Sequence, residues 1–277
     1  MGASAGGGFI TDVGSDPGID RVFSTAAHEA GHQWWGSSVL TLNEMLADDV
    51  RVGCIDRTFG RERTVEFLRD MRWALFSKSR SARDSGQPEA ERPLGEGGQT
   101  NSGYILMWRL RRILGDDAVN AALRDVVADF AYRADRTPAP RDVADALDRH
   151  TSADLHPLIA DTFERITIHP IHAREARSIR LSDGRYRVTI AADLRKTYGD
   201  GEAPLAGYRD WIDVGVYGDD GKLLALATQR IADPRRDLSI VVGARPARIV
   251  IDPLCTLLDP DASDNELGVS TVSSPSP

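Results

Sequence analysis

Cysteine is nearly absent from this chain: Cys54 and Cys255 are the only two in 277 residues, and neither belongs to a C-x-x-C pair. That excludes a disulfide framework and a cysteine-built zinc site, and it leaves the redox compartment open. Long apolar runs are also missing. No stretch approaches ~18 residues, so no membrane-spanning helix is expected. The start, MGASAGGGFITDVGSD, lacks the basic beginning and apolar centre of a signal peptide. Its glycines suggest a loop, or a chain that begins inside a domain. A basic face is lacking as well. Forty-two acidic residues against 34 Lys and Arg give a net charge of −8, which argues against nucleic acid as a partner. What remains is 41% hydrophobic and 27% charged, the balance of a soluble globular protein of one large domain or two ordinary ones.

Hydrophobic periodicity divides the chain in two. Residues 20–169 read as helical. IDRVFSTAAHEAGHQWWG ends at Gly36, and TLNEMLADDVRVGCIDRTFG opens on Thr41, a candidate N-cap, and stops at Gly60. RERTVEFLRDMRWALFSKS places Val65, Leu68, Met71, Arg72 and Leu75 at helical spacing. Residues 79–102 are polar and rich in Gly and Pro, which predicts a loop. GYILMWRLRRILG, DDAVNAALRDVVADFAY and DLHPLIADTFERI follow as helices. After Pro170 the period falls to two. RYRVTIAA turns Tyr186, Val188 and Ile190 inward, and DWIDVGVYG, KLLALATQRI, LSIVV and ARIVID are further short strands separated by turns such as Asp183-Gly184 and Asp220-Gly221. The expected fold is therefore α+β: a largely helical domain over 1–169, an antiparallel immunoglobulin-like sandwich over 170–255, and a disordered tail over 256–277.

The chemistry is concentrated in AAHEAGHQWWG, residues 26–36. Residues four apart share a helix face, so His28 and His32 can point at one cation. Glu29 lies about 100° round from His28 and flanks the same place. Such an H-E-x-x-H helix binds Zn²⁺ through two neutral imidazoles, with the glutamate as general base for the attacking water. A catalytic zinc needs a third protein ligand, and Glu44 is the candidate. If the two helices form a short-connected hairpin, His32 and Glu44 stand ~5–6 Å from the turn, at nearly the same level. Two alternatives stay open. Thr41-x-x-Glu44 has the form of a capping box, in which the glutamate only caps its own helix. Asp48, one turn on, can replace Glu44 or orient a histidine from behind.

Trp34 and Trp35 read as core packing beneath the site. His169 and His172, in IHPIH, fall in a junction without an acidic partner nearby in sequence, which argues against a second metal site. His150 and His156 read as surface or packing residues.

HEAGHQWWG followed by LNEMLAD resembles the M1 family of zinc aminopeptidases (gluzincins), whose signature is HExxHQWWG and, after a loop, W-L-N-E-G-F-A. In particular the chain is similar to the M1-like peptidase domains fused to bacterial ABC-2-type transporter permeases. The similarity runs through GFITDVGSDPGIDRVFSTAAHEAGHQWWG, LRRILGDDAVNAALRDVVADFAY, LIADTFERITIHPIHAREA, DGRYRVTI, DWIDVGVYG and PARIVIDPLCTLLDPDASDNE, over most of residues 8–268. It implies a thermolysin-like catalytic domain truncated at its N-terminus, one Zn²⁺ on His28, His32 and Glu44, Glu29 as base, a peptide substrate, and a membrane permease as partner or parent chain.

Three features depart from the family. Eleven residues separate His32 from Glu44, fewer than in the family. Thr100 and Ser102 stand where the family's Y-x-K-G segment has its oxyanion-stabilising tyrosine and its lysine; Tyr104, one turn on, is the candidate substitute. The N-terminal β-domain and the G-x-M-E-N segment that anchors a substrate's free amine are missing. Two functions are therefore expected in competition: a zinc metallopeptidase, and a weak or inactive peptidase-fold sensor or interaction module of a transporter.

Overall fold

The computed structural model describes residues 4–6, 9–11, 19–36, 40–84, 102–133, 135–165, 167–198, 210–231 and 237–272. The fold is mixed α and β, and the described residues fall into two compact units, helical up to Arg165 and stranded from Thr167 onward. Among them no helix is long and apolar enough to cross a membrane.

The helical unit contains α1 (Ile19–Trp35), α2 (Leu40–Phe59), α3 (Arg61–Asp84), α4 (Gly103–Leu114), α5 (Asp116–Phe130), α6 (Pro140–Arg149) and α7 (His156–Ala160). A small hairpin, β1 (Ser4–Gly6) with β2 (Phe9–Thr11), precedes them where the sequence suggests a loop. The central helix is α2, which packs on α1, α3 and α4. It buries Leu42, Met45, Leu46, Ala47, Val52 and Ile55. Two glycines let its neighbours come close. A Cβ on Gly31 of α1 would stand 2.9 Å from the Cα of Ala47, and one on Gly103 of α4 would stand 2.6 Å from the Cα of Met45. Neither approach tolerates a side chain, so both backbones touch α2 directly.

On α3, Val65, Leu68, Arg72 and Leu75 are buried, as the helical spacing predicts, together with Phe76. The same helix continues to Asp84, which moves the start of the expected loop from 79 to beyond 84; residues 85–101 lie outside the described set. The short helix α6 is not among those expected from sequence. Pro140 sets its first turn, and the Asp142 carboxylate accepts the Ala139 N–H at 2.9 Å. After α7 the chain makes one π-helical turn, Asp161–Arg165, where the buried Thr162 hydroxyl donates to the Leu158 carbonyl at 2.9 Å.

The second unit holds two four-stranded sheets. One has the order β11-β10-β7-β8 and the other β12-β4-β5-β9. The strands are β4 (Ile171–Arg180), β5 (Tyr186–Leu194), β7 (Asp210–Tyr217), β8 (Leu223–Ile231), β9 (Leu238–Val242), β10 (Arg248–Ile251), β11 (Glu266–Gly268) and β12 (Ser270–Val272). A separate short pair joins β3 (Thr167–Ile168) to β6 (Thr197–Tyr198). All pairings are antiparallel except β12 with β4. One core joins the two sheets. Val188 and Ile190 of β5 meet Val214 and Val216 of β7, Ile240 of β9 and Ile249 of β10.

The expected disordered tail is corrected here. Leu257 and Leu258 are fully buried, β11 completes one sheet and β12 the other. The tail reads as polar because β11 and β12 are short edge strands held by backbone pairing, which needs no apolar alternation. Only residues 273–277 of it lie outside the described set.

A buried ionic cluster holds the strand unit near its start. The Asp210 carboxylate accepts from His169 Nε2 at 2.9 Å and pairs with Lys196 Nζ at 3.0 Å, and its other oxygen accepts the Trp211 N–H at 2.8 Å. His172 pairs with Asp264 at 2.7 Å. Both junction histidines thus have acidic partners that are remote in sequence, carboxylates 41 and 92 residues away that fold onto them.

Candidate metal centre

The site is built on the α1–α2 hairpin. His28, Glu29 and His32 project from α1, and Asn43, Glu44 and Asp48 from α2. The contact of Gly31 with Ala47 draws the two helices together at the level of these side chains. His28 Nε2 lies 3.1 Å from His32 Nε2, and their rings stand nearly perpendicular at 88°. Glu44 closes the group: one oxygen is 3.2 Å from His28 Nε2 and the other 3.6 Å from His32 Nε2.

The other ring nitrogens are held from behind. His28 Nδ1 lies 2.9 Å from Asp48 Oδ1, and His32 Nδ1 lies 2.6 Å from Asn43 Oδ1. A carboxylate and an amide carbonyl only accept hydrogen bonds, so each Nδ1 carries the proton and donates it. In a neutral imidazole that leaves a lone pair on each Nε2. With both rings neutral, two lone pairs and a carboxylate converge on one point, an arrangement that suits a cation. Arg51 Nη1 lies 3.5 Å from the same Asp48 Oδ1.

These residues fit zinc. Bonds of ~2.0–2.1 Å at tetrahedral angles set ligand atoms ~3.3–3.4 Å apart. The separations of 3.1, 3.2 and 3.6 Å bracket that edge length. As ligands, His28, His32 and Glu44 would leave one tetrahedral position open.

Glu29 is buried, and its carboxylate forms no hydrogen bond or ion pair among the described residues. The side chain is therefore held in place by packing, with its carboxylate uncommitted to any protein group. The Glu44 side chain faces the histidines across the hairpin, the direction that ligation needs and helix capping does not. Helix α2 begins at Leu40, which places Thr41 inside the first turn rather than at the cap. Asp48 takes the orienting position behind His28.

Sequence reasoning does not reach Asn43. The signal is its place one residue before Glu44, level with His32 across the turn. Tyr104 is buried in α4, and its hydroxyl donates to the Met71 carbonyl of α3 at 3.4 Å. Thr100 lies outside the described residues; Ser102 is fully buried beside α4. Trp34 is 73% exposed, so it is a surface residue near the end of α1 and not core packing. It follows His32 by two positions, which turns it away from the face that packs on α2. His150 pairs with Asp125 at 2.8 Å and His156 with Asp148 at 3.8 Å, both partly exposed.

No known family model and no curated protein sequence matches the chain.

Proposed function

We propose that the chain is a zinc-dependent, M1-like metallopeptidase module that hydrolyses peptide bonds. His28, His32 and Glu44 hold the metal and Glu29 serves as general base. In this reading the helical unit is a thermolysin-like catalytic domain, the strand unit is an immunoglobulin-like sandwich, and a membrane permease is partner or parent chain. The observation that carries the reading is the convergence of two Nε2 lone pairs and the Glu44 carboxylate.

A bound zinc ion supplies Lewis acidity that activates water toward a carbonyl. The chain's own groups do the rest. Asp48 and Asn43 fix the tautomers, so His28 and His32 present Nε2 at no cost in reorganisation. The Glu29 carboxylate, uncommitted to other protein groups, accepts the proton of the attacking water and passes it to the leaving amine. The test is hydrolysis of a panel of aminoacyl-chromophore substrates by the zinc-loaded protein, with Glu29→Gln as the control. Turnover that Glu29→Gln abolishes while zinc stays bound is the expected result. Equal rates in both proteins would refute the assignment.

One observation favours a second reading, a catalytically weak sensor or interaction module. The Tyr104 hydroxyl is engaged with the Met71 carbonyl, which leaves the oxyanion without an evident tyrosine donor. Zinc binding without turnover in the same assay would select this reading.

A further inference from the structure

A cleft of about 520 Å³ opens between α2, α4 and α5. Pockets that take small organic molecules run from roughly 300 to 1,000 Å³. The cleft shares no residue with the His28–His32–Glu44 cluster, so a ligand bound in it would be independent of the peptidase reading.

The base of the cleft is rigid. Arg111 donates through Nε and Nη2 to both oxygens of Asp49, at 2.5 and 2.6 Å, and through Nη1 to Asp116 and Asn120, each at 3.0 Å. Burial alone would lower the pKa of this guanidinium; the hydrogen bonds and charges of Asp49 and Asp116 outweigh it and raise the pKa. Arg111 is therefore a fixed, satisfied cation. One wall is an arginine–aromatic stack. Arg61 lies 4.6 Å over the Trp108 ring and donates to both oxygens of Asp56, at 3.0 and 3.2 Å.

Four arginines, Arg57, Arg61, Arg111 and Arg112, thus line the cleft against three carboxylates; Arg111 serves both Asp49 and Asp116, Arg61 serves Asp56, and Arg112 is engaged as well. Arg57 is different. It lines the same cleft, is exposed, and forms no ion pair with any described carboxylate. Beside it the wall is open: a Cβ on Gly53, one turn earlier on α2, would meet nothing within 4 Å. The cleft therefore offers one surplus positive charge next to an arginine–indole surface and unfilled space.

We propose that this cleft binds a small organic anion, a carboxylate or a phosphate ester, whose oxyanion pairs with Arg57 and whose planar or apolar body lies against the Arg61–Trp108 wall beside Gly53. Arginine's planar fork suits either oxyanion. The face of a stacked guanidinium suits a flat body.

The test is isothermal titration of the full chain with benzoate, phenyl phosphate and benzylamine. Saturable 1:1 binding of at least one anion, and none of benzylamine, is expected; the tighter anion identifies the preferred source of the oxyanion. Arg57→Gln, a change at an exposed side chain, should weaken the anion about tenfold. Gly53→Leu, which fills open space on a helix, should abolish binding while leaving the melting temperature at or above that of the parent. Three results would each overturn the proposal. One is no heat from either anion. Another is benzylamine binding as tightly as the anions. The third is anion binding that persists in both variants, or that disappears only in a His28→Ala, His32→Ala double variant.

Discussion

His28 and His32 face each other Nε2 to Nε2 at 3.1 Å, while Asp48 and Asn43 hold their Nδ1 protons from behind. In neutral rings this turns both Nε2 lone pairs toward the proposed metal position. Metal analysis of purified protein is expected to find about one zinc per chain, and none in a His28→Ala, His32→Ala double variant. Glu44→Gln should lower zinc affinity about tenfold or more if Glu44 is a ligand. An unchanged affinity would return Glu44 to a structural role.

Asp48 and Asn43 should affect the metal without touching it. Loss of an orienting partner behind a metal-bound histidine typically costs ~10–100-fold in affinity. Asp48→Ala and Asn43→Ala are each expected to fall in that range in a zinc-competition titration. Wild-type affinity in both would mean that the imidazole tautomers are fixed by something else.

Gly31 sets the spacing of the two helices that carry the site. A methyl group there would stand 2.9 Å from the Ala47 backbone, so Gly31→Ala must push α1 away from α2. Overpacking of this kind costs ~1–3 kcal/mol. Chemical denaturation should show that loss, and zinc titration should show weaker binding in the same variant. A variant that is destabilised but binds zinc normally would uncouple the helix spacing from the site.

Hydrolysis is expected to be slow even with zinc bound. Loss of one oxyanion donor typically costs ~10²–10³ in rate. Because the Tyr104 hydroxyl reaches the Met71 carbonyl, Tyr104→Phe should leave kcat/KM of the zinc-loaded protein within about twofold of the parent. A fall of tenfold or more would make Tyr104 the missing donor.

The strand unit has a separate point of vulnerability. Asp210 is the carboxylate shared by the buried His169 and Lys196. Asp210→Asn removes their common counter-charge, and breaking a buried pair in this way costs about 3–5 kcal/mol. Thermal unfolding should show the strand unit melting well below the parent. A shift of a degree or two would mean that the cluster contributes little to the stability of the unit.

The legible parts of the molecule are those in which one residue's neighbours along the chain determine its environment. His28 and His32 sit one helical turn apart, and Val188 and Ile190 alternate along a strand, so both pairs announce their faces. Strand β4 escapes the sequence pattern because, after Ile171, its inward residues Ala173, Ala176 and Ser178 are small or polar and a bulge near Arg174 breaks the alternation. Asn43 and Asp48 become visible as partners only when α2 folds against α1. His169 and His172 read as lacking acids for the same reason: Asp210 and Asp264 are local in space and remote in sequence. Trp34 reads as core on its hydrophobicity, but the helix turns it outward.

β11 and β12 are separated only by Val269, yet they belong to different sheets, one beside β10 and the other beside β4. Ser270 pairs with Arg177, so the last strand reaches back across almost the whole unit. Neither sheet has its full set of strands until residues 266–272 have left the ribosome. Before that, the outer edges of β10 and β4 are unpaired backbone ready to accept another chain. The unit can collapse early around its shared core, but its closure is a late, long-range event of the kind that slows folding and lengthens exposure to aggregation.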